Sequence, residues 1–206
     1  MNGILHISWQ EIQAGNETAF RVLYDEYSEL LYGYGMKIID NEAVVMDAIQ
    51  TLFLNIFEKR KRISAPKSIA AYLCRALKNL LFNELQRSPL RKTSELDENN
   101  GKDYDFTLEP DVESRLINDE QEIEGLKIFK QELDKLSHQQ REMLYLRYYK
   151  GLDSDEISDI MRVSKRTVYN TINNALTRLR SNKELMSFFG EATLMVLLGL
   201  NEFYGL

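Results

Sequence analysis

Asp153–Ser181 reads DSDEISDIMRVSKRTVYNTINNALTRLRS, in which a turn separates two helical patterns of unequal length. Asp153 and Glu156 have the spacing of a capping box, which predicts the start of the shorter helix. Arg162 lies in the predicted turn, and Ser164 is a typical N-cap for the longer helix. A short helix, a tight turn and a longer helix are the parts of a helix-turn-helix.

One face of the longer helix is polar and carries no acidic residue. No Asp or Glu occurs from Ser164 to Lys183, whereas surface helices usually mix both charge signs. Asn and Arg side chains match base edges in the major groove, and Lys and Tyr suit phosphates. The candidate DNA-contacting residues of this face are Lys165, Arg166, Thr167, Tyr169, Asn170, Asn173, Asn174 and Arg178. Periodicity alone leaves DNA binding and an ordinary antiparallel helix pair equally open.

The chain before this motif also predicts helices. Residues 112–136 form one long helical pattern, and Ser137 and Gln140 form another capping box. Gly151 is typical of the residue that follows a helix C-terminus. We therefore predict a C-terminal helical domain over residues 112–184.

The first part of the chain predicts a second helical domain. Apolar residues recur at spacings of three and four over residues 20–34, 48–57 and 69–85, which is the pattern of amphipathic helices. Aromatic-rich stripes on three or four such helices imply one compact bundle. The predicted fold is therefore all-α, with an N-terminal helical bundle over residues 1–88 and the C-terminal helix-turn-helix domain.

The acidic charge of the chain lies between the two predicted domains. Residues 86–125 contain 12 acidic and 5 basic residues, whereas the flanking segments are close to neutral. Residues 89–111 are acidic and poor in aliphatic residues, so we predict a flexible linker there. The apolar tail, residues 185–206, is too short and too interrupted to predict a membrane span. It predicts either a helix packed on the C-terminal domain or an apolar surface for a partner.

The composition of the 206 residues excludes several classes of protein. Cys74 is the only cysteine, which excludes an intramolecular disulfide and a zinc cluster and fits a reducing compartment. The N-terminus lacks the features of a signal peptide, so we expect a cytoplasmic protein. His6 and His138 have no metal-ligand partners at useful spacing. With no catalytic constellation or phosphate-binding loop in the sequence, we expect no enzyme activity, no cofactor and no small-molecule substrate.

Two parts of the chain resemble the sigma-70 family of RNA polymerase sigma factors. Residues 133–180, LDKLSHQQREMLYLRYYKGLDSDEISDIMRVSKRTVYNTINNALTRLR, resemble the fourth conserved region, which reads the −35 promoter element. GNETAFRVLYDEYSELLYGYG (15–35), DAIQTLFLNIF (47–57) and AAYLCRALKNLLFNELQR (70–87) resemble the second conserved region, which binds core polymerase and opens the −10 element. Two such domains with no third between them are typical of the extracytoplasmic-function (ECF) group.

The resemblance implies roles for particular residues. Asp47, Gln50 and Thr51 lie on the helix that docks on the polymerase in this family. The residues at positions where the family contacts and melts the −10 element are Arg75, Lys78, Asn79, Asn83 and Arg87. The chain departs from the family at Arg162, where Gly is common. Its recognition helix also has fewer Arg residues than usual, which predicts a different −35 sequence with fewer phosphate contacts.

The resemblance therefore implies a factor that binds core RNA polymerase and promoter DNA and directs transcription initiation under the control of an anti-sigma factor. The apolar tail is a candidate surface for that inhibitor. The alternatives are a stand-alone DNA-binding regulator with a sensory N-terminal bundle and a helical adaptor or anti-sigma protein. The motif DAIQTLFLNIF favours the sigma factor over the regulator, because a stand-alone regulator has no need of a polymerase-binding helix.

Overall fold

The computed structural model describes residues 8–87, 104–109 and 120–189. The chain divides into two compact units, Met1–Tyr104 and Asp105–Leu206. Within the described ranges the regular structure is helical, which confirms the predicted all-α fold. None of the helices in these ranges is both long enough and apolar enough to cross a bilayer.

The N-terminal unit contains the helices that the apolar stripes predict. They are α1 (Trp9–Ala14), α2 (Glu17–Ile38), α3 (Glu42–Lys59) and α4 (Ile69–Arg87). The side chain of Asn16 accepts hydrogen bonds from the Thr18 and Ala19 amides, and this cap sets the start of α2. Asn41 caps α3 in the same way through the Val44 amide.

Helices α2, α3 and α4 pack against one another around one apolar core. Leu23, Leu31 and Leu77 are fully buried in it. A Cβ atom at Gly35 would lie 2.7 Å from Cγ1 of Val45, so glycine allows α2 and α3 to approach closely. The sequence predicted Phe57 as part of the core stripe of α3, but this ring is 38% exposed.

The C-terminal unit contains the predicted helix-turn-helix and the helices before it. They are α5 (Glu120–Asp134), α6 (His138–Leu144), a π-helical turn (Tyr145–Tyr149), α7 (Ser154–Met161) and α8 (Lys165–Ser181). Both predicted capping boxes are present, from Ser137 to Gln140 and from Asp153 to Glu156. The part of the predicted long helix before Glu120 lies outside the described residues.

The end of α6 differs from the ordinary helix that its sequence pattern predicts. The backbone widens into the π-helical turn, in which the Lys150 amide donates to the Tyr145 carbonyl at 3.2 Å. Gly151 follows with a φ of 66°, as expected of a residue that ends a helix in the left-handed region. The wider turn places the rings of Tyr145 and Tyr149 in a stack with centroids 5.6 Å apart.

Residues 104–109 belong to the predicted linker, yet they are packed. Tyr104, Phe106 and Leu108 are buried, whereas the three residues that alternate with them are exposed. Successive side chains of an extended backbone point in opposite directions, so an alternating apolar pattern can bury one side. These six residues therefore differ from the expected flexible linker. The rest of the predicted linker lies outside the described residues.

The start of the apolar tail packs within the C-terminal unit. Residues 183–189 are helical, and Leu185 and Phe189 are buried. A Cβ atom at Gly125 would lie 2.7 Å from the ring of Phe189, so α5 and this short helix approach closely at a glycine. This placement fits the packing interpretation for residues 185–189. Residues 190–206 lie outside the described residues.

Candidate functional site: a nucleic-acid interface and a partner surface

Helix α8 is held on one side and leaves its other side exposed. Its buried residues are Val168, Ile172, Ala175, Leu176 and Leu179. They pack toward α6 and α7, and the buried residues of α7 are Ile157 and Ile160. Burial of this stripe sets the rotation of α8 about its axis, and the rotation decides which side chains face outward.

All eight predicted DNA-contacting residues of α8 are exposed. Arg166, Asn170 and Asn173 follow one another at spacings of four and three, so they form one row along the helix. Thr177 continues this row and is also exposed, although the sequence prediction omitted it. The spacing from Asn173 to Thr177 is the feature that identifies it. The row presents amide, guanidinium and hydroxyl groups, which can pair with base edges.

The start of α8 is tightly organised. Oγ of Ser164 accepts a hydrogen bond from the Thr167 amide at 3.1 Å and lies 2.8 Å from Oγ1 of Thr167. Arg162 occupies the left-handed region with a φ of 54°, where the sequence analysis placed the turn. A helix N-terminus favours anions, so the first turn of α8 suits a phosphate oxygen.

Lys165 is the candidate DNA contact that the structure pairs with an acidic residue. Its Nζ forms an ion pair with the carboxylate of Asp155 on α7. The ion pair ties the first residue of α8 to the first turn of α7. Part of the positive charge of Lys165 is therefore compensated within the protein, which the sequence pattern of α8 alone does not indicate.

Helix α4 presents four of the five predicted −10 residues in one row. Arg75, Asn79, Asn83 and Arg87 are spaced by four residues, and all four are exposed. Nη1 of Arg87 lies 2.9 Å from Oε1 of Glu84, one turn back on the same helix. The row thus combines cationic and amide groups, as a path for a single DNA strand requires.

Lys78 lies off this row, one residue before Asn79, and its ammonium group lies over two adjacent aromatic rings. Its Nζ is 5.6 Å from the ring centroid of Phe82 and 5.2 Å from that of Tyr104. The two rings contact each other with centroids 4.9 Å apart. Lys78 therefore takes part in packing of the N-terminal unit, and the structure separates it from the other four predicted residues.

Helix α3 carries the predicted polymerase-binding residues on its outer face. Asp47 and Gln50 are exposed, and Thr51 is half-buried. Leu54 lies on the same face, one turn after Gln50, and it is 57% exposed. Phe57, three residues further along, is 38% exposed, and exposed apolar side chains that form one patch, unlike a single leucine, are typical of a protein-binding surface. The sequence prediction missed Leu54 because it lies outside the apolar stripe of α3.

An aromatic cluster borders this face of α3. The ring of Phe20 on α2 packs edge-on against Phe57 with centroids 5.4 Å apart, and Tyr24 contacts Phe53 at 4.9 Å. The guanidinium carbon of Arg60 lies 4.5 Å from the centroid of Phe57. Together with Leu54, the partly exposed rings extend the polar α3 face into an apolar one.

Among the residues that the structure describes, Tyr72 and Tyr148 have phenols whose pKa differs from the ordinary value. Burial raises the pKa of Tyr72, while the nearby positive charge of Arg75 acts in the opposite direction. Burial also raises the pKa of Tyr148, against the smaller effects of Arg147 and Arg180. Both phenols are therefore neutral near physiological pH and suit hydrogen bonding rather than proton transfer. In the part of the chain that the structure describes, no group of three His, Cys, Asp or Glu side chains could hold a metal ion.

The comparison with family models matches the two units separately. The model described as Sigma-70 region 2 matches residues 23–89, which include α3 and α4. The model described as Sigma-70, region 4 matches residues 126–179, which include the helix-turn-helix. The chain belongs to the sigma-70 family. This sigma factor therefore binds core RNA polymerase and promoter DNA and acts in transcription initiation.

The sigma factor is similar to a relative that belongs to the ECF group. The ECF RNA polymerase sigma factor SigX of Bacillus subtilis strain 168 is 21% identical over 172 residues, which cover 82% of this chain and 86% of SigX. The match therefore extends over both units and the segment between them.

Solved structures share the fold of this sigma factor. CnrH, solved in complex with the cytosolic domain of CnrY, has a TM-score of 0.54 at 17% identity, over 84% of this chain and 92% of that chain. The sigma factor RpoE of Bartonella quintana, solved in complex with the anti-sigma factor NepR, has a TM-score of 0.55 at 17% identity, over 82% and 96%. At these identities the likeness shows the common fold.

Proposed function

We propose that this sigma factor reads the −35 element through the exposed face of α8 and opens the −10 element along the α4 row. The observation that carries the proposal is the eight-residue exposed face of α8, which lies on a helix without a single acidic residue. A polyanion is the partner that such a face favours. Its row of amides and one guanidinium offers donors and acceptors for base edges, with Thr177 as an added member.

The α4 row is the proposed contact with the melted strand. Extruding a base from the duplex costs a few kcal/mol, which the protein must offset with contacts to the displaced strand. Arg75 and Arg87 supply positive charge at intervals along the helix, and Asn79 and Asn83 supply amides between them. Lys78 acts through packing in this proposal, because its ammonium group lies over the rings of Phe82 and Tyr104.

The outer face of α3 is the proposed polymerase-binding surface. Asp47, Gln50 and Thr51 form its polar part, and Leu54 and Phe57 form its apolar part. Protein interfaces commonly combine a central apolar contact with a polar rim. Leu54 is the proposed centre of this surface, since it is the most exposed large apolar residue on α3.

The remaining parts of the proposal concern the whole protein. Residues 1–88 act on polymerase and the −10 element, residues 89–111 connect the domains, and residues 112–184 act on the −35 element. The chain itself performs no covalent chemistry and works in the cytoplasm, where the polymerase supplies the catalysis. An anti-sigma factor controls it, a proposal that the complexes of CnrH with CnrY and of RpoE with NepR support. The tail from residue 185 stays a candidate for part of that contact.

Run-off transcription tests the proposal directly. The full chain is mixed with core polymerase and genomic promoter fragments, and specific transcripts are expected. Asn170→Ala should lower transcription while leaving co-elution with polymerase intact, because it alters only the DNA face. Leu54→Asp should abolish co-elution while leaving α8 untouched. Absence of transcripts together with absence of co-elution would reject the proposal, and the opposite variant pattern would show that the two surfaces are exchanged.

A further inference from the structure

Residues 105–109, DFTLE, form an extended strap on the C-terminal unit. The strap lies between the two family matches, which end at residue 89 and resume at residue 126. Phe106 and Leu108 are buried, and Asp105, Thr107 and Glu109 are exposed. The strap therefore presents an acid–aromatic–x–aliphatic–acid pattern, with its apolar residues on one side.

The strap is held by side chains from α5, α6 and the π-helical turn, which we call the strap groove. The ring of Phe106 packs against Tyr145 with centroids 5.4 Å apart. The hydroxyl of Tyr149 donates a hydrogen bond to the Glu109 carbonyl at 3.1 Å. At the two ends, Arg141 pairs with Asp105, and Nζ of Lys130 lies 3.1 Å from Oε1 of Glu109.

The groove selects for charge as well as shape. The Arg141 side chain is 10% exposed and pairs with two acids, Asp105 of the strap and Asp134 of α5, whose Oδ1 lies 3.8 Å from Nη1. An acid at this end of an extended segment therefore adds to a charge pair that the groove already contains. Lys130 supplies a second cation at the other end. Two cations with aromatic side chains between them suit an extended segment that has an acid at each end and two apolar residues at alternate positions.

The ion pairs that hold the strap are exposed enough to exchange one partner for another. The Asp105 side chain is 83% exposed, and Glu109 and Lys130 are 53% and 54% exposed. Solvent and salt screen such ion pairs, so they select a ligand without locking it in place. Retention of the strap then depends on Phe106 and Leu108 and on its covalent attachment, which keeps its local concentration at about the millimolar level.

We propose that the strap groove is an exchangeable docking site for extended protein segments of this pattern, and that residues 105–109 occupy it in the free protein. A partner protein that carries an acid–aromatic–x–aliphatic–acid segment displaces the strap and gains a hold on the DNA-reading unit. The π-helical turn serves this site, because it aligns Tyr145 and Tyr149 beside the strap.

Peptide binding to a variant with a vacated groove tests the proposal. The full chain carrying Phe106→Ala and Leu108→Ala is titrated into a fluorescent peptide of residues 103–111, and anisotropy is measured. We expect saturable binding that is about tenfold tighter than to the wild type, since a strap that occupies the groove about 90% of the time lowers the apparent affinity by that factor. A control peptide with serine at both apolar positions should not bind.

Substitutions in the groove provide the matched control. In the vacated variant, Lys130→Glu should weaken peptide binding, because it reverses the charge opposite Glu109. Lys127→Glu makes the same change on the same helix, at a lysine whose Nζ pairs with Glu124 at 3.1 Å, and it should leave binding unchanged. Equal effects of the two changes would overturn the charge selection in the proposal.

Circular dichroism shows whether the double alanine variant keeps its helices. If it loses them, the same titration is made on Leu108→Ala alone, which weakens the hold of the strap by removing one of its two buried apolar side chains. Tighter peptide binding than to the wild type supports the proposal for either variant. No saturable binding to a folded variant overturns it and makes residues 105–109 a fixed part of the domain. Neither result depends on DNA or polymerase binding, so the test is separate from that of the proposed function.

Discussion

Helices α8 and α4 both carry a row of residues predicted to face DNA, but their surroundings differ. The α8 row lies in the middle of a wide exposed face, and the ion pair of Lys165 with Asp155 is at its edge. On α4, the ammonium group of Lys78 lies over the rings of Phe82 and Tyr104, and Arg87 pairs with Glu84. Helical spacing therefore predicted the exposed residues of α8 more completely than those of α4.

The difference has a physical cause. Helix α8 is covered only on its buried stripe, so rotation about its axis decides what is exposed. Helix α4 is also approached at its flank by Tyr104, which lies 17 positions beyond the end of the helix at Arg87. Spacing within a helix describes its own faces, but it does not describe what a distant segment places against them.

The largest expected effect is on α8. Arg166→Ala should weaken promoter binding by the holoenzyme by roughly 1–3 kcal/mol, about 5- to 150-fold, if the guanidinium pairs with a base edge. The measurement is the affinity for a promoter fragment taken from the run-off experiment, at fixed salt. Lys183→Ala is the control, because it removes the same charge from an exposed position beyond α8. Equal losses of promoter affinity for both variants would show that Arg166 contributes only general positive charge.

On α4 the expected effect concerns opening rather than binding. Asn79→Ala should lower the population of melted promoter by about fivefold, the loss of one hydrogen bond of about 1 kcal/mol to the displaced strand. A fluorescent base analogue in the −10 element reports the opening. Gln10→Ala is the amide control, at an exposed position on α1 and therefore outside the α4 row. Faster or unchanged opening in the Asn79 variant would remove Asn79 from the proposed contact.

Lys78 should separate packing from DNA contact. Lys78→Ala should lower the free energy of unfolding by about 0.5–1 kcal/mol, because it removes a cation from the faces of two partly buried rings. Chemical denaturation of the free protein measures this loss. Arg75→Ala, at an exposed position of the row, should leave the stability nearly unchanged. If the Lys78 variant keeps its free energy of unfolding but opens the promoter less, Lys78 contacts DNA as the sequence predicted.

The smallest expected effect is at the edge of α8. Asp155→Asn should raise DNA affinity by less than about tenfold, since it removes a negative charge beside the DNA face and releases Lys165 from an exposed ion pair. The effect should shrink at high salt because screening acts on both contributions. Asp159→Asn changes the same charge at another exposed position of α7 and serves as the control. A salt-independent gain would contradict the electrostatic explanation.

Much of the fold followed from short-range chemistry. The capping boxes at Ser137 and Asp153 and the N-cap at Ser164 set helix starts through backbone amides within three residues. The left-handed backbone at Arg162 and Gly151 followed from the turn and the helix end in the same way. Interactions of this range depend on neighbouring residues alone, so the sequence pattern contains them.

The candidate site was predicted less completely than the fold. Thr177 was missed although its spacing from Asn173 places it on the α8 row. Leu54 was missed because the sequence pattern does not show whether an apolar residue outside the core stripe is exposed or buried. The widening of the backbone at Tyr145–Tyr149 depends on packing of the whole unit, and no local residue pattern predicts it.

The sequence by itself determined the all-α fold and the helix-turn-helix, because helical periodicity and capping act over a few residues. Its resemblance to the sigma-70 family indicated the family. Only the tertiary structure decided that alternate residues of 104–109 are buried, that Lys78 lies over two rings and that Lys165 pairs with Asp155. Each of these depends on two segments that are separated along the chain and meet only after folding. Local composition is then a poor guide, since an acidic segment that resembles a linker can still bury alternate residues, Tyr104 in the N-terminal unit and Phe106 and Leu108 in the C-terminal unit.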